Sequence, residues 1–485
     1  MPLLSRILKS SAPLTLSSVP NGFLPWLMTD LARASTTRAV LICADDQAMR
    51  AVADAAHWFA PELQLIEFPA WDCLPYDRAS PSLRASSERL AALAALQDKP
   101  RGSQLVLTTL NAATQRTLTP FRIRQLTATL APGKAIDRDA LGKLLQANGY
   151  VRTDTVADAG EYAVRGSLID LYPSGSAHAL RLDFFGDEIE SIRAFDPADQ
   201  RTISRIESFT LLPAAEALLD EASIKNFRRG YVALFGATAT GDPLYQAVSE
   251  GRRLAGMDHW LPLFEEKLST LFDHIGEGAV IVRDGGVAGA AASRFESITD
   301  YHANRIRTQT SDLGSYRPLA PDALYLPADV WDAHVSARPM HATSAFHAPD
   351  SDTTLDFGID GPRDFAPERG RNENIYEVFG DYAAALSKAK QGLILACYTN
   401  GSRERLKGLL ADHKLHNTAF ADTWQEAQGL ASTGKTALAV VPLDHGFITP
   451  QLALITEQIL FGDQCELWRD EAVIERDDRE RRFAC

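Results

Sequence analysis

Apolar positions in residues 1–118 alternate between short continuous runs and segments of three-to-four spacing. Arg38-Ala39-Val40-Leu41-Ile42-Cys43 predicts a buried strand, and Met49, Val52, Ala56 and Phe59 then predict a helix with one apolar face. Leu63 to Phe68 predicts the next strand. Pro69-Ala70-Trp71-Asp72-Cys73-Leu74-Pro75-Tyr76-Asp77 predicts an irregular loop between two prolines. Leu90, Leu93 and Leu96 mark the inner face of a helix, and Gln104 to Thr108 is a strand again. Strand–helix alternation of this kind implies a doubly wound parallel sheet.

The rhythm changes over residues 119–212. Segments rich in β-formers dominate: Arg122 to Leu130, Glu161 to Leu171, Leu180 to Phe185, Glu188 to Phe195 and Ser204 to Leu211. A helix, Asp139 to Ala147, stands among them and stops at Asn148-Gly149. This predicts an α+β domain inserted into the first. The α/β pattern returns over residues 213–345, with a helix through Glu216 to Leu234, a strand at Gly278 to Val282 and a long helix at Gly286 to Ile306. Residues 346–371 are rich in Pro, Asp and Gly and read as a linker. Residues 372–468 form a small α/β unit with strands Leu393 to Tyr398, Thr418 to Ala421 and Ala437 to Val441, and residues 469–485 are a charged tail.

At 485 residues the chain exceeds what one core can hold and predicts about three or four domains. No apolar run is long enough for a membrane helix. Met1 to Ser18 reads as an amphipathic first helix, with Arg6 and Lys9 breaking a short apolar stretch. Cys43, Cys73, Cys397, Cys465 and Cys485 show no metal spacing and suit a reducing cytoplasm. The formal charge of −14 weighs against a general nucleic-acid binder, because duplex affinity rests on lysines and arginines neutralising phosphates.

Two segments carry candidate chemistry. Gly429-Leu430-Ala431-Ser432-Thr433-Gly434-Lys435-Thr436 satisfies the phosphate-loop pattern. That loop requires a strand before it and a helix after it, so that a helix N-terminus faces the anion. Here Asp422 to Ala427 reads as a helix and Thr436 to Pro442 as a strand, the reverse order. We therefore read Gly429 as a helix stop, Gly434 as a turn and Lys435 as a solvated charge, and reject the match. An ATPase using Lys435 remains the rival reading.

The second segment is Gly160-Glu161-Tyr162-Ala163-Val164-Arg165-Gly166-Ser167-Leu168-Ile169-Asp170-Leu171-Tyr172-Pro173, continued by Arg181-Leu182-Asp183-Phe184-Phe185-Gly186-Asp187-Glu188-Ile189-Glu190. Alternation puts Arg181, Asp183 and Phe185 on one face of a strand and Leu182 and Phe184 on the other. Arginines and aromatics are the usual anchors of protein interfaces. The bland alternative is that Arg165 pairs with Asp170 or Asp183 to hold the sheet and that Phe185 is core.

This block resembles the bacterial transcription-repair coupling factors (Mfd). So do Phe68 to Asp77 with Ser80-Pro81 and Glu88-Arg89-Leu90, Leu211-Leu212-Pro213-Ala214, His259 to Phe264, and Asp444-His445-Gly446-Phe447. The resemblance covers nearly all of residues 15–465. It implies an α/β multidomain fold: a degenerate P-loop-NTPase-like doubly wound sheet similar to UvrB, an inserted α+β domain that binds UvrA, and a C-terminal small α/β domain. Carried over residue by residue, it implies UvrA contacts at Arg165, Arg181 and Phe185, with Arg152 and Glu161 as rim candidates.

Where UvrB has its phosphate loop, this chain has Leu16-Ser17-Ser18-Val19-Pro20-Asn21-Gly22-Phe23-Leu24, with one glycine and a proline that removes a donor. The second domain is also short for a DNA-clamping hairpin. These departures favour a non-catalytic recruiting module over a UvrB-like damaged-DNA binder. The family's ATP- and Mg-dependent translocase motifs and its RNA-polymerase-binding domain belong farther along a longer chain, and none is visible in this sequence. Cofactors are therefore expected to be none here, with polymerase and DNA engaged only through those other domains.

Overall fold

In the computed structural model, which describes residues 2–100, 102–236, 240–309 and 316–462, the first apolar runs assemble into a seven-stranded parallel sheet. Strands are numbered in chain order. The sheet's spatial order is β15 (Thr354–Asp356), β1 (Thr15–Ser17), β14 (Met340–Thr343), β13 (Val280–Arg283), β2 (Arg38–Cys43), β4 (Gln104–Thr109) and β3 (Gln64–Phe68). All six residues of β2 are buried, as a strand covered on both faces must be. Ala39, Leu41 and Cys43 pack on one side against the helices Leu24–Ala34 and Asp46–Phe59. Val40 and Ile42 pack on the other with Leu90 and Leu93 of the helix Leu83–Ala95 and Ile298 of the helix Val287–Gln309.

A six-stranded sheet follows, in the order β11 (Thr202–Arg205), β10 (Glu188–Phe195), β9 (Ala179–Phe185), β8 (Leu168–Leu171), β7 (Glu161–Arg165) and β6 (Val151–Arg152). It is antiparallel except for the β6–β7 pair. The helix Arg138–Ala147 buries Leu141 and Leu145 against one face. A third sheet has the order β17 (Thr418–Ala421), β18 (Thr436–Val440), β16 (Gly392–Cys397), β20 (Leu452–Thr456) and β19 (Phe447–Ile448). Among the described residues no helix is long and apolar enough to cross a membrane.

Several sequence expectations need correction. The first helix is confined to Pro2–Lys9, and Thr15–Ser17, expected as part of it, is strand β1. Arg122 to Leu130 is mostly helical: Thr119 caps the helix Pro120–Leu126 by accepting from the Arg122 N–H, and Pro120 is pre-set for the first turn. Only β5 (Ala128–Leu130) is a strand, and it pairs with β12 (Phe209–Leu211) outside the six-stranded sheet. The helix expected from Glu216 starts at Glu221, because Asp220 caps it, while Glu216 is buried against Arg89. The stretch expected as a linker is ordered: β15 adds to β1 in parallel, and Phe365 is fully buried in the last unit's core. Gly429 is not a helix stop but lies inside the helix Trp424–Ser432. The charged tail, Cys465 and Cys485 fall outside the described residues.

Aromatic side chains weld the first and third sheets together. Phe447 is fully buried, with its ring 5.5 Å from both Phe23 and Trp26. Trp424 lies 5.0 Å from Trp26 and 5.0 Å from Phe59. Removing such a buried ring typically costs about 3–5 kcal/mol, so Phe447→Ala is expected to lower the stability measured by denaturant unfolding by that order.

Two buried histidines make the fold acid-sensitive. The ring of His274 accepts from the Gln97 amide at 2.9 Å and donates to the Leu118 carbonyl at 2.9 Å. His341 accepts from the Leu14 N–H at 3.2 Å. Burial pushes both down from 6.5 to about 4. Their neutral forms therefore stabilise the fold above pH 6.5, and that contribution is lost between pH 6.5 and about 4, because the unfolded chain binds the protons first. Thermal unfolding followed across this range is expected to show falling midpoints, with a shallower fall in His274→Gln.

Candidate protein-docking surface

Two tight hairpins build the outer face of the six-stranded sheet. Arg165 pairs with Leu168 across Gly166 and Ser167, and Phe185 pairs with Glu188 across Gly186 and Asp187. Gly166 (φ 60°) and Gly186 (φ 64°) hold the left-handed corner that each turn needs. The alternation expected along β9 is present. Leu182 and Phe184 are buried in the core, whereas the Phe185 ring is 80% exposed at the hairpin tip. Phe185 is thus not a core residue.

Arg181 sits on the same face and is held rigidly. Its Nε donates to Asp170 Oδ1 at 2.7 Å and its Nη2 to Asp170 Oδ2 at 2.9 Å. A further bond reaches Gln200 at 3.3 Å, and the guanidinium lies over the Phe195 ring at 4.7 Å. These bonds to Asp170, itself only 1% exposed, hold the Arg181 pKa above its ordinary value. The bidentate fork pre-organises the guanidinium.

Arg165 is exposed and bonded locally. It donates to the Asp154 carbonyl at 2.6 Å and to Thr155 Oγ1 at 2.8 Å, and so pairs with neither Asp170 nor Asp183. The two rim candidates separate. Glu161 Oε2 accepts from the Ala157 and Asp158 N–H groups at 2.8 and 3.1 Å and so braces the turn before β7. Arg152 is exposed and stands in register with Tyr162, whose side chain belongs to the core face, so the sheet places it away from Arg181.

Sequence reasoning missed two arginines of this face. Cross-strand register runs Asp170, Arg181, Arg193, Arg205 through β8, β9, β10 and β11. Strand alternation within Arg193-Ala194-Phe195 could have marked the first. Arg205 joins the row only through a register shift between Ala194 and Phe195, which the sequence does not announce.

The geometry at the other candidate is equally definite. The helix Trp424–Ser432 precedes the Gly434 turn (φ 81°), and β18 follows it. The Thr433, Gly434 and Lys435 N–H groups bond to the carbonyls of Leu430, Ala431 and Leu430, which occupies the donors a phosphate would need. At Leu16 to Leu24 the chain does run strand–loop–helix, but the small unit fills the mouth: a Cβ on Gly22 would stand 2.1 Å from the His445 carbonyl oxygen.

A family model described as the UvrB interaction domain matches residues 128–216, and one described as the MFD D3 domain matches residues 386–460. The transcription-repair-coupling factor of Haemophilus influenzae is 33% identical over 405 residues, covering 82% of this chain and 34% of that protein. That of Escherichia coli is 30% identical over 451 residues, covering 92% and 38%. That of Myxococcus xanthus is 29% identical over 461 residues, covering 88% and 37%. The chain thus spans little more than a third of the length of these relatives. With both models matched and similarity running through most of its length, the chain belongs to the transcription-repair-coupling factor family, to whose amino-terminal region it corresponds.

Proposed function

We propose that this chain is a UvrA-recruiting module that links RNA polymerase stalled at DNA lesions to nucleotide excision repair. The observation that carries the reading is the Phe185 ring, 80% exposed at the tip of a sheet whose other face is a closed core. A large aromatic held in water beside a clamped arginine costs solvation that a protein partner would recover. Arg181 supplies an oriented cation and Arg165 a second one nearby.

In this reading the chain is a UvrB-like α/β unit (residues 1–118 and 213–345) interrupted by a docking unit (119–212) and followed by a small α/β unit (372–468). The seven-stranded sheet descends from a nucleotide-binding fold whose loop has been lost. Two observations support a module without a nucleotide of its own: the crowding at Gly22 and the spent N–H groups around Lys435. ATP-driven translocation, polymerase displacement and DNA contact then belong to other domains of the family.

The test is capture of UvrA by the purified chain. Phe185→Ala is expected to keep the fold and weaken capture by about 2 kcal/mol or more, the usual scale for an interface anchor. Arg181→Ala is expected to weaken capture and also to lower stability by about 3–5 kcal/mol, because it strands Asp170 in the sheet. Undiminished capture by both variants would remove the assignment of this surface.

A further inference from the structure

The docking reading leaves three arginines in one cross-strand row with a single buried aspartate to serve them. Arg181 consumes both oxygens of Asp170. Arg193 reaches only Asp183, at 3.4 Å, and its Nε is buried without a partner. Arg205 is exposed on β11, the edge of the sheet, and its side chain makes no ion pair or hydrogen bond among the described residues. Like charges directly opposite one another across a sheet are destabilising. A fold gains nothing for itself by placing Arg181, Arg193 and Arg205 side by side.

Beyond Arg165, which stands on the neighbouring hairpin, the basic charge of the face gathers on one side. Glu188 stands across the hairpin from Phe185, at the tip, while Arg193 and Arg205 stand together at the β11 end. The whole chain carries −14, so its net charge repels an acidic partner and a local basic patch is needed to hold one. The apolar tip and the basic edge therefore define a direction as well as a place.

Resting on the reading above, we propose that the UvrA-binding surface extends from Phe185 across to Arg193 and Arg205, and that these two arginines receive a cluster of carboxylates on UvrA. Arg181, already neutralised by Asp170, positions the row and adds little free charge. Arg193 and Arg205 supply the long-range attraction and fix the partner's orientation.

The experiment measures association and dissociation of UvrA with the full chain at low and at raised salt. Arg205→Glu and Arg193→Glu are each expected to weaken binding about tenfold at low salt, chiefly through the association rate. The deficit should shrink as salt screens it. Arg205→Lys should bind like the unaltered chain. Lys143→Glu makes the same charge change on the exposed side of the helix that packs behind the sheet, and serves as the control. Binding that Phe185→Ala weakens, but that Arg205→Glu and Arg193→Glu change no more than Lys143→Glu does, overturns this inference and leaves the docking reading standing. Failure of the unaltered chain to bind UvrA overturns both.

Discussion

The placement of the docking sheet depends on one buried ion pair. Arg89 and Glu216 are 0% and 1% exposed and meet at 2.7 Å. Trp71 Nε1 donates to the same Glu216 oxygen at 2.7 Å, Arg89 Nη1 donates to the Pro69 carbonyl at 2.8 Å, and the guanidinium lies over the Phe68 ring. Glu216 is where the chain returns from the inserted unit, so the pair ties that return to the helix and loop of the parallel sheet. A buried pair of this kind adds little net stability, since desolvation offsets most of the attraction. Its effect is on geometry: with Glu216 displaced, a charge would be stranded in an apolar core.

Around that pair the base of the docking sheet is closed by close backbone approach. Tyr150 donates to the Leu212 carbonyl at 2.7 Å, and Ser174 bonds both to Ser87 at 3.0 Å and to the Pro213 carbonyl at 2.8 Å. Gly175 comes so near the Leu83–Ala95 helix that a Cβ there would stand 2.6 Å from the Ala91 Cβ. The base is therefore rigid while the far hairpin, with Phe185 at its tip, projects into solvent. A surface that must dock without reordering loses less entropy on binding.

Much of the fold was legible because its local signals agree. The buried runs Arg38–Cys43 and Gln104–Thr109 become neighbouring strands, and the alternation of Leu182 with Arg181 and Asp183 separates core from face. Strand alternation is a property of the chain itself, so it survives any packing. Errors fell where a capping residue outweighed composition. Thr119-Pro120 turned an apparent strand into a helix, and Asp220 started the next helix after Glu216 rather than at it. The Pro- and Asp-rich stretch after residue 345 hid β15, because a three-residue strand with one buried leucine carries almost no periodic signal.

By itself the sequence determined the periodicities, the reversed helix–strand order around Lys435, and which side of β9 is polar. Those follow from covalent spacing and local backbone preference. Only the tertiary structure decided that Arg181 is clamped by Asp170, that Arg193 and Arg205 extend its row, that Arg152 belongs to another face, and that His445 and Gly446 fill the mouth beside Gly22. Each of these depends on strand register or on contact between segments far apart along the chain. Register and contact arise from the free energy of burying whole faces together, which local sequence does not encode.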